Sequence, residues 1–469
     1  MGAFLFTIIM VLLSFASSTT TTLNTSPPRL DSWMGDLQPL LGNLTLFDLA
    51  LPGTHDTLTY DLSTTVADNA NDLPSWVAWL LHTFHSLGAG VIGEFIRESA
   101  ITQELNITQQ LEAGIRYLDL RTIYTSPPNK DIGDKDWYSL HMVESNKKSI
   151  SYFQSIATFL KNHPKEVIVI MLTRHGCEGC TGDKQYPGST NAEKQTFWKQ
   201  IKQTFTNVNV GFIPGSGANY TSVNSTTINE LIQTNKRVLF YAGDYLNFTG
   251  NDPLAWDGSY LFNGGAGENV NNLPTSYQEW DKFYRSNQKT RESLKQKNMF
   301  YLMSLAGSPP ASVTQYAAEI YAASKIGLHP KDLIAKCAKG VNIPNLTNWC
   351  PSTLNEFERL RNFYSQIFLD RLVQSKYKNI YTPPGAIYID VVGTNGEIKT
   401  DTILSNKHGC SYTDTLLLWN VRNVCDGSIS SSLCNLTDAA LVNRRLQYKC
   451  EKWDDPETGR HANWPEEIP

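Results

Sequence analysis

The feature that most constrains the fold is an alternation of short apolar runs with longer amphipathic stretches, sustained over most of the chain. The runs are Leu46–Leu51, Ile115–Arg121, Val167–Leu172, Arg237–Ala242, Tyr260–Asn263, Phe300–Leu305 and Ala386–Val392. Between them, 150–164, 192–205, 277–296 and 353–375 carry the amphipathic character of helices packed on a sheet, and in 353–375 apolar residues recur three and four apart. Strand–helix alternation of this kind specifies a parallel sheet. Over roughly 350 residues it fits a closed or nearly closed β/α barrel better than two small sheets. The expected fold class is therefore α/β, a distorted TIM-type barrel. Residues 396–469 lack the alternation and hold Cys410, Cys425, Cys434 and Cys450, so they read as a disulfide-tied C-terminal extension.

The other end of the chain reads as a targeting segment. Residues 3–16, AFLFTIIMVLLSFA, form an uncharged run too short to span a bilayer, followed by a Ser/Thr tract. This predicts a signal peptide over 1–18, a Ser/Thr/Pro-rich linker over 19–32 and a barrel over 33–395. Eight cysteines, an even number, agree with an oxidising compartment. Cys337 and Cys350 flank a loop. Cys177 and Cys180 form a C-x-x-C with no second motif beside it, which favours a loop disulfide over a zinc site. The expected location is extracellular or in the secretory lumen. A net charge of −5 gives no basic footprint, which excludes nucleic acid as a partner class. Any membrane contact has to be local. One candidate is the apolar stretch 75–96, which reads as a buried helix, a lid or an interfacial helix. Oligomeric state is not legible.

Chemistry-bearing residues gather where strands end. LFDLALPGTHD delivers His55 and Asp56 after a breaker at Pro52-Gly53. In the strand IRYLDLR, Asp119 and Arg121 share parity and therefore one face of the sheet. A carboxylate and a guanidinium turned into a barrel need each other or a charged ligand. A polar loop and a short run, WYSLH, then bring back His141. Two imidazoles, carboxylates and an arginine suit phosphoryl transfer. One imidazole takes a proton from the attacking hydroxyl and the other gives one to the leaving oxygen. The guanidinium fork matches two phosphate oxygens. The arrangement expected is two imidazoles facing each other across a guanidinium.

PGTHD at the end of a first strand, QQLEAGIRYLDLR on a second, a following LH and the late strand AIYIDVVGT resemble the X-domain of phosphatidylinositol-specific phospholipase C, most closely its bacterial-type and secreted members. The resemblance implies the barrel of the PLC-like phosphodiesterases. It also implies that His55 is a general base oriented by Asp390, and His141 a general acid held by Asp56. Arg121 would bind phosphate, with Asp119 shaping its pocket. Arg174, Asp244 and Tyr245 are candidates for substrate binding, and Trp76 and Trp79 for membrane contact. Arginine stands where the family's calcium-dependent members place an acidic ligand, so the resemblance implies no metal and no cofactor. The implied substrate is a phosphatidylinositol-type lipid, free or as a glycosylated anchor, at a membrane surface. Two other readings are a metal-dependent phospholipase D or glycerophosphodiesterase-like enzyme, and a non-catalytic lipid-binding barrel.

Overall fold

The structure, a computed structural model, describes residues 26–65, 89–128, 134–173, 189–215, 223–263, 276–307, 311–325, 327–328, 330–341, 350, positions scattered over 361–373, 383–392, 412–425 and 431–447. Its strands are β1 (Leu51–Thr54), β2 (Tyr117–Thr125), β3 (Asp136–His141), β4 (Val143–Lys148), β5 (Ile168–Thr173), β6 (Gly211–Phe212), β7 (Lys236–Ala242), β8 (Trp256–Asp257), β9 (Leu261–Asn263), β10 (Phe300–Ser304) and β11 (Ala386–Ile389).

The sheet runs β6-β7-β5-β2-β1-β11-β10-β9, with β8 also on β7. Every one of these pairings is parallel. The first strand therefore lies beside the last, which an α/β sheet achieves by curling round on itself. Among the described residues no ladder joins β8 to β9, so the barrel is curled but incompletely closed. Only a short 3-10 turn separates those two strands, leaving no crossover helix to carry the chain.

Aromatic rings fill the interior. Tyr117 stacks on Phe300 and on Tyr388, with centroids 6.5 and 6.0 Å apart, and Tyr241 tilts against Phe300 at 6.3 Å. The barrel is thus a packed core. Gly53 is required by that packing, since a Cβ there would meet Ile387 O at 2.8 Å and the Tyr117 ring at 2.9 Å.

Two expectations change. The first strand lies not at 46–51 but at 51–54, running through Pro52-Gly53. Thr45 and Asp48 form a reciprocal capping box that winds Leu46–Asp48 into a 3-10 turn instead. The helix expected over 277–296 is two, Ser276–Ser286 and Gln288–Gln296, broken at Asn287. The boundary expected at 395/396 lies outside the described residues, and beyond it a helix packs on the body of the fold. Helix Tyr412–Cys425 is buried at every position from Tyr412 to Val421, and the Asn420 side chain bonds both Ala50 N and Ala50 O, at 2.7 and 3.1 Å. A helix buried on every side belongs inside a fold, and here its buried polar residues Thr413, Asp414, Thr415 and Asn420 come with it. Disulfides join Cys337 to Cys350 and Cys425 to Cys434. Cys177, Cys180, Cys410 and Cys450 lie outside the described residues, as do the expected signal peptide and most of 353–375.

Candidate active site

The C-terminal ends of β1, β2 and β11 meet at one mouth of the barrel, where α/β barrels carry their chemistry. His55 and Asp56 leave β1, Asp119 and Arg121 point inward from β2, and Asp390 follows β11. His141 arrives by the excursion β2-β3-β4, an antiparallel ladder in which His141 pairs with Val143 across a turn at Met142.

Each of three key residues has a neighbour in the left-handed region. These are Asp56 (φ 45), Met142 (φ 62) and Val391 (φ 49). For a β-branched residue such as Val391 this is strained, and such backbone costs on the order of 1–3 kcal/mol. The surroundings hold it in place. Val391 N donates to Thr102 O at 2.6 Å, and Asn362 Nδ2 donates to Asp390 O at 2.6 Å and Val391 O at 3.2 Å.

The His55 ring stacks on Tyr388, centroids 5.2 Å apart, and its Nδ1 lies 2.8 Å from Asp390 Oδ1. Its Nε2 lies 2.7 Å from Arg121 Nη2. A guanidinium can only donate, so this contact belongs to the neutral ring, with Nε2 accepting and Nδ1–H pointing at Asp390; the protonated ring has to release Arg121 from Nε2. Arg121 also reaches Asp56 Oδ1 through Nε at 2.5 Å and Asp119 Oδ2 through Nη2 at 3.1 Å. Asp56 Oδ2 sits 3.5 Å from both His55 Nδ1 and His141 Nε2. The two imidazoles are therefore brought together, with a carboxylate rather than a guanidinium between them and Arg121 to one side. His141 is gripped most tightly by main chain, its Nδ1 donating to Ala100 O at 2.6 Å. Asp56, expected to hold it, is the longer contact.

Three carboxylates face one fixed cation, and this sets the protonation. Burial, the largest influence on His55, pulls its pKa down, but Asp56 and Asp390 outweigh it. With Arg121 opposing, the imidazole rises from 6.5 to about 9. Burial likewise disfavours the Arg121 charge, yet Asp119 and Asp56 push its pKa above the usual arginine value. His55, Asp56 and Asp119 offer ligand atoms within 4.8 Å of one another. The Arg121 guanidinium contacts all three, so a covalently tethered cation already occupies that corner.

The remaining candidates fare differently. Asp244 follows β7, where its carboxylate meets Lys194 Nζ at 2.8 Å and accepts from Asn247 at 3.0 Å. Tyr245 donates its hydroxyl to Asp252 O at 3.0 Å. No described contact joins either to the histidine cluster. Arg174, Trp76 and Trp79 lie outside the described residues.

Sequence reasoning missed Thr102, Gln103, Asn362, Tyr388 and the Ala100 carbonyl. A main-chain acceptor has no residue-type signature. Gln103 sits in a polar stretch, ITQEL, with no periodicity to mark it.

Comparison with known proteins places this site in context. The family profile PI-PLC X matches residues 92–289, which hold Asp119, Arg121 and His141. PI-PLC X domain-containing protein 1 of Mus musculus is 32% identical over 138 residues, 29% of this chain and 37% of that protein. PI-PLC X domain-containing protein 3 of Danio rerio is 32% identical over 142 residues, 30% of this chain and 41% of that protein. The chain thus spans less than half the length of these relatives. Among solved structures, the phosphatidylinositol-specific phospholipase C from Listeria monocytogenes is 16% identical, with 84% of this chain and 99% of that one covered at a TM-score of 0.43.

Proposed function

We propose, from the match of residues 92–289 to the PI-PLC X profile, a secreted phosphodiesterase that cleaves phosphatidylinositol-type lipids at a membrane surface. The products are diacylglycerol and a cyclic inositol phosphate, and the chemistry is general acid–base catalysis without a metal. The observation that carries this reading is that His55 and His141 meet the same carboxylate oxygen at 3.5 Å, with the Arg121 guanidinium against His55.

In the proposed reaction, Asp390 holds the His55 proton on Nδ1 and leaves the Nε2 lone pair outward. When the phosphate enters, Arg121 turns from Nε2 to a phosphate oxygen. His55 Nε2 then takes the proton of the inositol 2-hydroxyl as that oxygen bonds to phosphorus. The phosphorus–oxygen bond to diacylglycerol breaks, and the leaving oxygen takes a proton from His141 Nε2. His141 can do this because Nδ1 is committed to Ala100 O, so its exchangeable proton sits on Nε2 beside Asp56.

The test is turnover of phosphatidylinositol vesicles in EDTA. The expected outcome is diacylglycerol release by the parent chain, with His55→Ala and His141→Ala each losing on the order of a hundredfold or more. A second reading, a metal-dependent phosphodiesterase, is favoured by the spacing of His55, Asp56 and Asp119. It predicts no turnover in EDTA and recovery with calcium or magnesium. No turnover under either condition, with lipid binding intact in both alanine variants, would leave a binding barrel.

A further inference from the structure

The His55–Asp390 pair bridges two strands, so its geometry depends on how the ends of β1 and β11 are held together. Inside the ladder, His55 N donates to Ile389 O at 3.0 Å. Beyond it the two chains diverge, through Asp56 on one side and Val391 on the other, both with positive φ. At that divergence one fully buried side chain touches both strands. Gln103 Nε2 donates to His55 O at 2.9 Å and to Ile389 O at 3.0 Å, while its Oε1 accepts from Val392 N at 3.1 Å. Two carbonyls on one end and an N–H on the other fix the amide orientation. The backbone of Gln103 is itself anchored, its N–H donating to Thr59 Oγ1 at 3.0 Å.

We propose that Gln103 is a positioning residue that sets the separation and orientation of His55 and Asp390 by bonding the main chain on either side of their contact. It touches no substrate. The proposal rests on the reading of His55 as the base, but its geometric content does not. The amide spans from His55 O to the peptide two residues past Asp390. Without it, the His55 and Ile389 carbonyls each lose a donor, Val392 N–H loses its acceptor, and two strained residues lose a restraint. An unpaired buried amide group is costly, and backbone adjustment is the available relief. Any such adjustment changes the 2.8 Å contact between His55 Nδ1 and Asp390 Oδ1. Asn362 holds only the Asp390 side, and Thr102, whose carbonyl accepts from Val391 N, reaches the other side only through Oγ1 contacts of 3.5 Å to His55 O and Asp56 O, so neither replaces the bridge.

The experiment compares the parent chain with Gln103→Leu, close in volume, and with the milder Gln103→Asn. Proton NMR follows the low-field resonance of the His55 Nδ1–H that faces Asp390, and steady-state kinetics on phosphatidylinositol vesicles run in parallel. The expected result is a resonance shifted upfield or broadened away in the variants. With it, kcat should fall roughly a hundredfold and KM change less than about threefold, the signature of displaced catalytic groups. The NMR arm works even if the chain turns over no lipid, so failure of the proposal and failure of the functional reading give different outcomes. An unmoved resonance in folded Gln103→Leu or Gln103→Asn, or a fall in melting temperature with kcat unchanged, overturns the proposal.

Discussion

At the residue scale the site is a contest over protons. Asp56 and Asp390 raise the His55 pKa to about 9 against burial and Arg121. A raised folded pKa stabilises the folded chain fully below the unfolded value of about 6.5, and that contribution is lost as pH rises through about 9. The stability difference between the parent chain and His55→Gln, followed by urea unfolding, is therefore expected to move against the parent between pH 6.5 and 9. A difference that stays flat across that window contradicts the account. In the free protein the base form of His55 gains ground as pH rises through the same value, so kcat/KM is expected to climb on that side. Much of this residue set was legible beforehand. Strand parity put Asp119 and Arg121 on one face, and the breaker after LFDLAL drew attention to His55 and Asp56. Their partners were not legible, because Ala100 contributes only a carbonyl and Gln103 acts through amides far away in sequence. Parity also separates two arginines of one strand segment. Arg121 serves the site, whereas Arg116 is fully buried against Glu166 at 2.7 Å.

At the element scale, Arg116 and Glu166 tie the start of β2 to the start of β5. Arg116 spends its remaining donors on the Leu30, Asp31, Leu111 and Ile115 carbonyls. Glu166 in turn accepts from Gly35 N at 3.0 Å. Removing one partner strands a buried charge, so Glu166→Ala is expected to cost about 3–5 kcal/mol in urea unfolding. A loss below about 1 kcal/mol would mean that the pair is solvated in solution. The same scale shows where local pattern misled. LFDLAL reads as a short apolar strand, yet the Thr45–Asp48 capping box outcompetes it for Leu46–Asp48. The true strand holds a proline and a glycine, both poor strand formers. Tyr412 explains how they are tolerated. Its hydroxyl accepts from Gly53 N at 3.1 Å and donates to Ile387 O, standing between β1 and β11. That contact comes from residues far beyond any local window.

At the scale of the whole molecule, alternation of strand and helix was enough to expect a parallel barrel, and the pairing of β1 with β11 agrees. It was not enough to assign the C-terminal residues, because a helix buried on every side has no amphipathic period. Helix Tyr412–Cys425 packs on β1, and helix Ser431–Gln447 packs on it in turn, joined by the Cys425–Cys434 disulfide. A chain ending at residue 395 is therefore expected to lose the cooperative unfolding transition of the full chain by circular dichroism, and an unchanged transition would show that the barrel stands alone. The central claim concerns chemistry at one phosphorus, and phosphorus-31 NMR of phosphatidylinositol digests in EDTA tests it most directly. The account predicts a cyclic inositol phosphate resonance that disappears with His55→Ala or His141→Ala. Phosphatidic acid or glycerol phosphate as the first product, or turnover that stops in EDTA and returns with calcium, would contradict it.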